Sequence, residues 1–561
     1  MKKILILLII TVMTAVLMVS CSEDDGADTN TTTTAPSPKE RTITVTYAVD
    51  GGGKIVGETQ QTITTPLVMH TFEMVEAVPD EGYAFMGWSD GGTAPKRSDT
   101  LNESATYTAI FKKKHRITFT TDGHGHINGN TSQSVADGRG TYPVTAIAAP
   151  GYKFVGWSNG ATTPKISIVA TEDTQLTAIF EVQPLTLPIL SINTENGDPI
   201  LSKEIYVNCQ FSVSNTDDEY KLSAEPGKIK GRGNTSWKND KKPYHIKFDE
   251  PVDLFGNGEA REWNLISNHT DYSMIRNYLA YTVASKFSTL GGLGEMQFVE
   301  LYLNGQYDGV YLVCERIEIA ENRVNITTSE PGVLDTGYIV ELDGRGEGDC
   351  FAVNGKYYAM KAPENYTKEQ KNYIGMYVYD CLNALENGDW EDICNLIDVE
   401  SFAESYIVHE VHKCCDVGYA SFYMVKDSGG KLRCGPVWDF DRSLGNVYNK
   451  AGSQDPKKLF ASIENEWFAA LLKHEEFVQL VGEKLDIYAP IMEETYEECF
   501  AYVESHKSSF ERNDLRWSIL GRDLYPNPSN LVKIKTWQGQ VDYNKQFLKD
   551  SLKFMLETYP A

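Results

Sequence analysis

Four groups of residues in this chain have types and spacings that suit chemistry on a phosphate. Asp416 falls between a helical and an extended stretch, with Ser421 five residues on. In the catalytic loop of phosphoryl-transfer enzymes an aspartate at this spacing accepts the proton of the attacking hydroxyl, and the side chain at +5 holds a metal. Asp439 follows 23 residues later in Trp438-Asp439-Phe440-Asp441, at the end of an expected strand. Two carboxylates at i and i+2 on extended chain project to one side, where Asp439 and Asp441 would share a hard divalent cation such as Mg²⁺. Upstream, Gly231-Arg232-Gly233-Asn234-Thr235-Ser236 is a short turn in which Gly231 and Gly233 let backbone approach a nucleotide's phosphates. Lys247 ends Tyr244-His245-Ile246-Lys247, fourteen residues after Gly233, where an ammonium would pair with phosphate. Each group also has a plain reading as a tight turn, a strand-end lysine or capping acids. For Asp416 and Asp439, their order and context favour the functional one.

The elements that must position these residues follow from hydrophobic periodicity and turn residues. A helix is expected over about 271–287, then a hairpin of 299–303 and 309–313 across Asn304-Gly305, and a strand at 338–342. A helix over about 399–413 leads into Cys415-Asp416, followed by a strand at 421–426 and another running to Gly435-Pro436-Val437-Trp438-Asp439-Phe440-Asp441. Mostly helical sequence continues to Pro560, so strands come first, helices later and the acids at the junctions, an α+β arrangement. His409-Glu410-Val411-His412 lies on the second of these helices. A zinc-protease helix needs histidines at i and i+4, and Lys413 stands there, so a packing face is expected. The Asp-x-Asp of nucleotide-sugar glycosyltransferases is a further reading of Asp439 and Asp441, which the flanking motifs rank third.

Over residues 188–560 the chain resembles the CotH-type kinases, an atypical protein-kinase fold. The resemblance rests on five collinear stretches: 231–237, 241–247, Met274-Ile275-Arg276-Asn277-Tyr278-Leu279-Ala280-Tyr281, 299–305 with 309–312, and 435–441. It implies phosphate transfer from ATP to protein serine or threonine, with Asp416 as the catalytic aspartate and Asp439 as the Mg²⁺ ligand. The chain departs from ordinary kinases in three places. No glutamate stands between Thr270 and Phe287 to pair with the lysine, Ser421 replaces a metal-binding asparagine, and Asp441 replaces a glycine. A second function of a different class therefore stands beside the first: a non-catalytic adhesion or ligand-binding protein on a kinase-like scaffold.

The N-terminal third is different. Gly82-Tyr83-Ala84-Phe85-Met86-Gly87-Trp88-Ser89 returns as Gly151-Tyr152-Lys153-Phe154-Val155-Gly156-Trp157-Ser158, an offset of 69 residues, and Thr-Ala-Ile-Phe closes each unit. The two units, 42–112 and 116–182, alternate apolar and polar residues between glycine-rich turns and read as small β domains with Trp88 and Trp157 as core anchors. Their signature resembles the divergent InlB B-type repeats of bacterial surface proteins. Ahead of them, Lys2, Lys3, an apolar run and Ser20-Cys21 read as a signal peptide over 1–20. The junction resembles a lipobox, with Cys21 as the lipidated residue, and an acidic, Thr-rich tether covers 21–41. The expected chain is a membrane-anchored lipoprotein of the outer membrane or cell surface, multidomain, with two small mostly-β repeat domains followed by a large α+β atypical protein-kinase-like domain at 188–561. Fifty-two basic against 78 acidic residues give a formal charge of −26, which sets nucleic acid aside as a partner. Of ten cysteines, nine remain once Cys21 is removed, unevenly spaced and without Cys-x-x-Cys, so neither a disulfide framework nor a structural zinc is implied.

Overall fold

The computed structural model describes residues 39–561 other than 67, 150, 184, 291–293, 295 and 347. The signal peptide, Cys21 and the tether up to residue 38 lie outside the described residues. Among the described residues no helix is long and apolar enough to cross a membrane, and the nine described cysteines are free thiols.

In the first repeat, alternation puts Ile43, Val45 and Tyr47 on the buried face of strand Arg41–Asp50, which pairs antiparallel with Gln60–Thr65. The same strand pairs in parallel with the start of Ala105–Thr121, and Tyr83–Trp88 lies antiparallel to that strand. Residues 117–121 of Ala105–Thr121 pair in parallel with Thr174–Val182 in the second repeat, whose other neighbour is Tyr152–Trp157. Both signatures contain a bulge, at Phe85/Gly87 and Phe154/Gly156. Gly87 has a φ of 131° there, which explains a glycine immediately before the tryptophan. Trp88 and Trp157 are buried in the two cores, and their indole N–H groups donate to the carbonyls of Ala94 (2.9 Å) and Thr163 (3.1 Å).

The cleft-bearing region opens on a closed seven-stranded barrel, which hydrophobic patterning alone does not announce. In order around it come Ile189–Thr194, Val207–Ser214, Leu222–Gly231, Tyr244–Asp253, Glu259–Ile266, Gln306–Glu315 and Gln297–Leu303. It closes through parallel pairing of Ile189–Thr194 with Gln297–Leu303. Phe211, Ile229, Ile246, Trp263, Leu265, Val299 and Tyr311 fill it. The hairpin turn is Asn304-Gly305, both at positive φ (51° and 75°), the conformation a tight two-residue turn needs. Between two barrel strands sits helix Arg276–Ala284. It is shorter than expected because the Asp271 carboxylate accepts from the N–H groups of Ser273 and Arg276 and fixes a turn before it.

A five-stranded sheet follows, in the order Cys350–Val353, Lys356–Ala362, Tyr338–Leu342, Phe422–Lys426, Leu432–Cys434. Helices pack on it and continue to Thr558. Helix Val399–His412 stops where Lys413 turns left-handed (φ 54°), which releases the chain into the Asp416 segment. The last strand ends at Cys434, short of Asp439. Pro436 has no N–H to extend the ladder, so residues 435–441 are irregular. The chain is thus β-rich from 41 to 266 and α+β beyond.

Candidate active site

Asp416, Asp439 and Asp441 line one cavity of about 460 Å³. A second, of about 550 Å³, adjoins it and shares the wall of Arg232, Gly233, Asn234, Lys361, Tyr423 and Trp438. The turn after helix Val399–His412 is closed by the N–H groups of Tyr419 and Ala420, which donate to the Asp416 carbonyl at 2.8 and 2.9 Å. Its carboxylate Oδ1 accepts from Arg442 Nη1 at 3.2 Å and from the Cys415 thiol at 3.4 Å. Ser421, at a φ of 60°, donates through Oγ to Asp439 Oδ2 (3.3 Å) and through N–H to Glu341 Oε1 (3.0 Å). Ser421 therefore touches the carboxylate of Asp439 directly. Thr270 Oγ1 donates to Asp441 Oδ2 at 3.4 Å.

Asp439 does not occupy extended chain as its spacing suggested. Its φ is 67°, and this left-handed turn, not strand alternation, brings its carboxyl within hydrogen-bonding reach of Asp441. Burial first, and then the neighbouring charge of Asp416, pushes the Asp439 carboxyl above its ordinary range, while Arg232 opposes the shift. Burial and then the Asp439 charge push Asp441 well above it. Carboxyls held this way gain most from a cation between them. Among the described residues no group of three or more His, Cys, Asp or Glu side chains is assembled to hold a metal. Asp439 and Asp441 supply two hard oxygen donors, a set that suits Mg²⁺ completed by water and phosphate oxygens.

The glycine turn and the lysine differ from expectation. Gly231 and Gly233 do line the cavities, but the N–H groups of Gly231 and Arg232 already donate to the carbonyls of Ser202 (2.8 Å) and Pro243 (3.2 Å). Glycine is required at 233 by a φ of 79°, and at 231 by the Trp237 ring, which a Cβ would meet at 2.3 Å. Lys247 lies outside both cavity walls. Its ammonium pairs with Glu262 at 2.5 Å, and Glu262 also takes Arg316 (2.6 Å) and His245 (3.3 Å). These partners, His245 first among them, hold the Glu262 carboxyl well below the usual range.

Lys361 lies on the wall shared by the two cavities and pairs with Glu341 at 2.5 Å, while Lys203 and Lys230 line the second cavity alone. Lys361 and Glu341 come from neighbouring strands of the five-stranded sheet, so the lysine–glutamate pair that helix Arg276–Ala284 lacks is built from the sheet instead. The available signal for each residue was a charge set in an apolar run, Glu341 after Tyr338-Ile339-Val340 and Lys361 after Ala359-Met360, while their pairing is fixed only by the strand register. His409 and His412 are buried with each Nδ1 facing a backbone carbonyl one turn back, and burial pushes both imidazoles down to about 4. They are packing residues of a neutral helix face.

Residues 229–555 match the family described as CotH kinase protein, and residues 43–115 and 115–184 each match the divergent InlB B-repeat domain. A stretch of 78 residues is 38% identical to the inner spore coat protein H of Bacillus subtilis (strain 168), a match that takes in 14% of this chain and spans 20% of that protein's length. With the family match extending over more than half of its length, from the barrel through the cleft to the last helix, the chain belongs to the CotH kinase protein family.

Proposed function

We propose that this chain transfers a phosphoryl group from a nucleotide, ATP with Mg²⁺, to a serine or threonine hydroxyl of a protein. The observation that carries the reading is the convergence of Asp416, Asp439 and Asp441 on one cavity that also holds the Lys361–Glu341 pair. Arg442 and the Cys415 thiol engage Oδ1 of Asp416, which leaves Oδ2 to take the acceptor's proton. The acceptor oxygen then bonds to the terminal phosphorus as the bond from that phosphorus to the bridging oxygen breaks, and a nucleoside diphosphate leaves. Arg232 and Lys361, on the wall shared by the two cavities, are placed to bind the phosphates, with Glu341 orienting the ammonium. Asp439 and Asp441 would hold Mg²⁺, which when bound neutralises phosphate charge. Ser421 fixes the Asp439 carboxyl for that task.

Isothermal titration of the purified chain with ATP, with and without Mg²⁺, together with a phosphotransfer assay on its own hydroxyls and on dephosphorylated casein, tests the reading. Mg²⁺-dependent binding and labelled phosphoserine or phosphothreonine are expected. The placement of Lys247 outside the cleft favours a second reading, a ligand-binding scaffold without catalysis, and binding without transfer would establish it. We also propose that Cys21 carries lipid and tethers the protein at the outer membrane or cell surface. Cys21→Ala should then move the protein from the membrane to the soluble fraction, and unchanged partitioning would refute the anchor.

A further inference from the structure

The helix that offers no carboxylate to a lysine makes two other contacts with the cleft. Asn277 and Tyr281 lie one turn apart on helix Arg276–Ala284 and are both buried. The N–H of Asp439 donates to the Tyr281 hydroxyl oxygen at 2.9 Å, and the N–H of Phe440 donates to Asn277 Oδ1 at 2.7 Å. The Tyr281 ring stacks on Trp438, with centroids 5.6 Å apart and planes 13° apart. Three consecutive residues, 438 to 440, are thus gripped from one face of the helix. The grip is itself anchored: Asn277 Nδ2 donates to Asn268 Oδ1 (2.9 Å), and Asn268 Nδ2 donates to the Met274 carbonyl (3.0 Å). At the other end of the segment, Asn446 Nδ2 donates to the carbonyls of Asp441 (2.9 Å) and Thr270 (3.1 Å).

A non-glycine residue at a φ of 67° persists only where its surroundings over-determine it. Two side-chain acceptors on successive N–H groups do that. We propose that Asn277 and Tyr281 are positioning residues that hold the 438–441 backbone in the turn that brings the Asp439 and Asp441 carboxyls together. The helix acts on the backbone of the metal segment and has no lysine to orient. This rests on the reading of Asp439 and Asp441 as the metal pair, but the turn itself can be followed without any metal.

The test uses the full chain and three variants. Tyr281→Phe removes the acceptor oxygen and keeps the ring stack, Asn277→Ala removes the amide, and Tyr278→Phe removes a hydroxyl from the same helix away from the segment. Hydrogen–deuterium exchange of the metal-free protein is expected to speed up by about five-fold or more at the amides of 439 and 440 in the first two variants, and to stay as in the parent in the third. Titrated with Mg²⁺ at fixed ATP, the same two variants should need about five-fold more metal for half-saturation, while metal-free ATP affinity stays within about two-fold. Unchanged exchange in both variants overturns the proposal whatever the metal data show. A parent chain that binds no Mg²⁺ with ATP, beside variants that exchange faster, removes the phosphotransfer reading and leaves the positioning of the segment standing.

Discussion

The repeats and the cleft-bearing region use buried polar groups in opposite ways. In each repeat a buried glutamine ties two loops by its amide: Gln61 to the carbonyls of Glu58 and Glu73, and Gln133 to those of Asn130 and Tyr142. The rest of the first repeat's core is aromatic and aliphatic, with one part-buried ion pair, Arg97–Asp99, laid against the Trp88 and Tyr107 rings at its edge. The cleft-bearing region instead buries whole ion pairs, Arg276 with Asp271, Arg323 with Glu315, Lys413 with Glu410 and Arg512 with Glu300. Such pairs add little net stability, because desolvation offsets their attraction, yet removing one partner strands a charge. Damage to a repeat core should therefore be graded, and damage beneath the cleft abrupt. Arg276 shows what such a pair achieves: it is bonded to Asp271 and donates from Nε to the Ser443 carbonyl, which clamps the start of the helix to the chain just past Asp441.

The largest effect expected from any single change is on turnover. Asp416→Asn keeps the shape of the turn but cannot take a proton, so phosphotransfer should fall by about 10²–10⁴-fold with nucleotide affinity within a few-fold. Loss of nucleotide binding in that variant would make Asp416 a ligand of the nucleotide or its metal. Next comes Arg276→Met, which strands Asp271 in the core. Denaturant unfolding should report a loss of about 3–5 kcal/mol for the cleft-bearing region, with the repeats' own transition unmoved. A loss below about 1 kcal/mol would erase the contrast between the regions.

Acid should separate them as well. His409 and His412 have pKa values of about 4 in the fold, against 6.5 for the free side chain. Above pH 6.5 both states are neutral. As pH falls towards 4 the unfolded chain takes up protons that the fold refuses, so stability drops by about 3 kcal/mol for each histidine. Thermal midpoints of the cleft-bearing region should decline over that window, and His409→Phe should shallow the decline. The smallest effect is expected from Trp157→Phe, about 1–2 kcal/mol in the second repeat, with Mg²⁺-dependent nucleotide binding unchanged.

What could be read from sequence follows the same divide. The strands of the repeats were legible because apolar residues alternate without interruption from Ile43 to Tyr47 and again at Ile117 and Phe119. The hairpin at Asn304-Gly305 announced itself by turn chemistry. Helix Val399–His412 and the segment after it also stand where periodicity put them. Helix Arg276–Ala284 was drawn too long at its start because a side chain, Asp271, fixes the preceding turn, and no periodicity reports that. The strand drawn through Trp438 failed at Pro436. Lys247 matched a motif by spacing, but spacing does not say which neighbour a side chain will find, and Glu262 on the next strand claimed it. Glu341 and Lys361 escaped notice because the pair forms only through the register of two strands with a bulge between them.

Closure of the barrel bears on how pieces of this chain behave when cut out. The family match begins at residue 229, inside the strand Leu222–Gly231. A fragment begun there discards Ile189–Thr194 and Val207–Ser214, so Gln297–Leu303 loses its parallel neighbour and Tyr244–Asp253 keeps only a stump of its own. Two raw edges with unpaired N–H and C=O groups, backed by a core left open by the loss of Phe211, would then invite other chains to add on. Self-association of such a fragment would be a property of the cut, and a piece that begins before Ile189 keeps the cylinder shut.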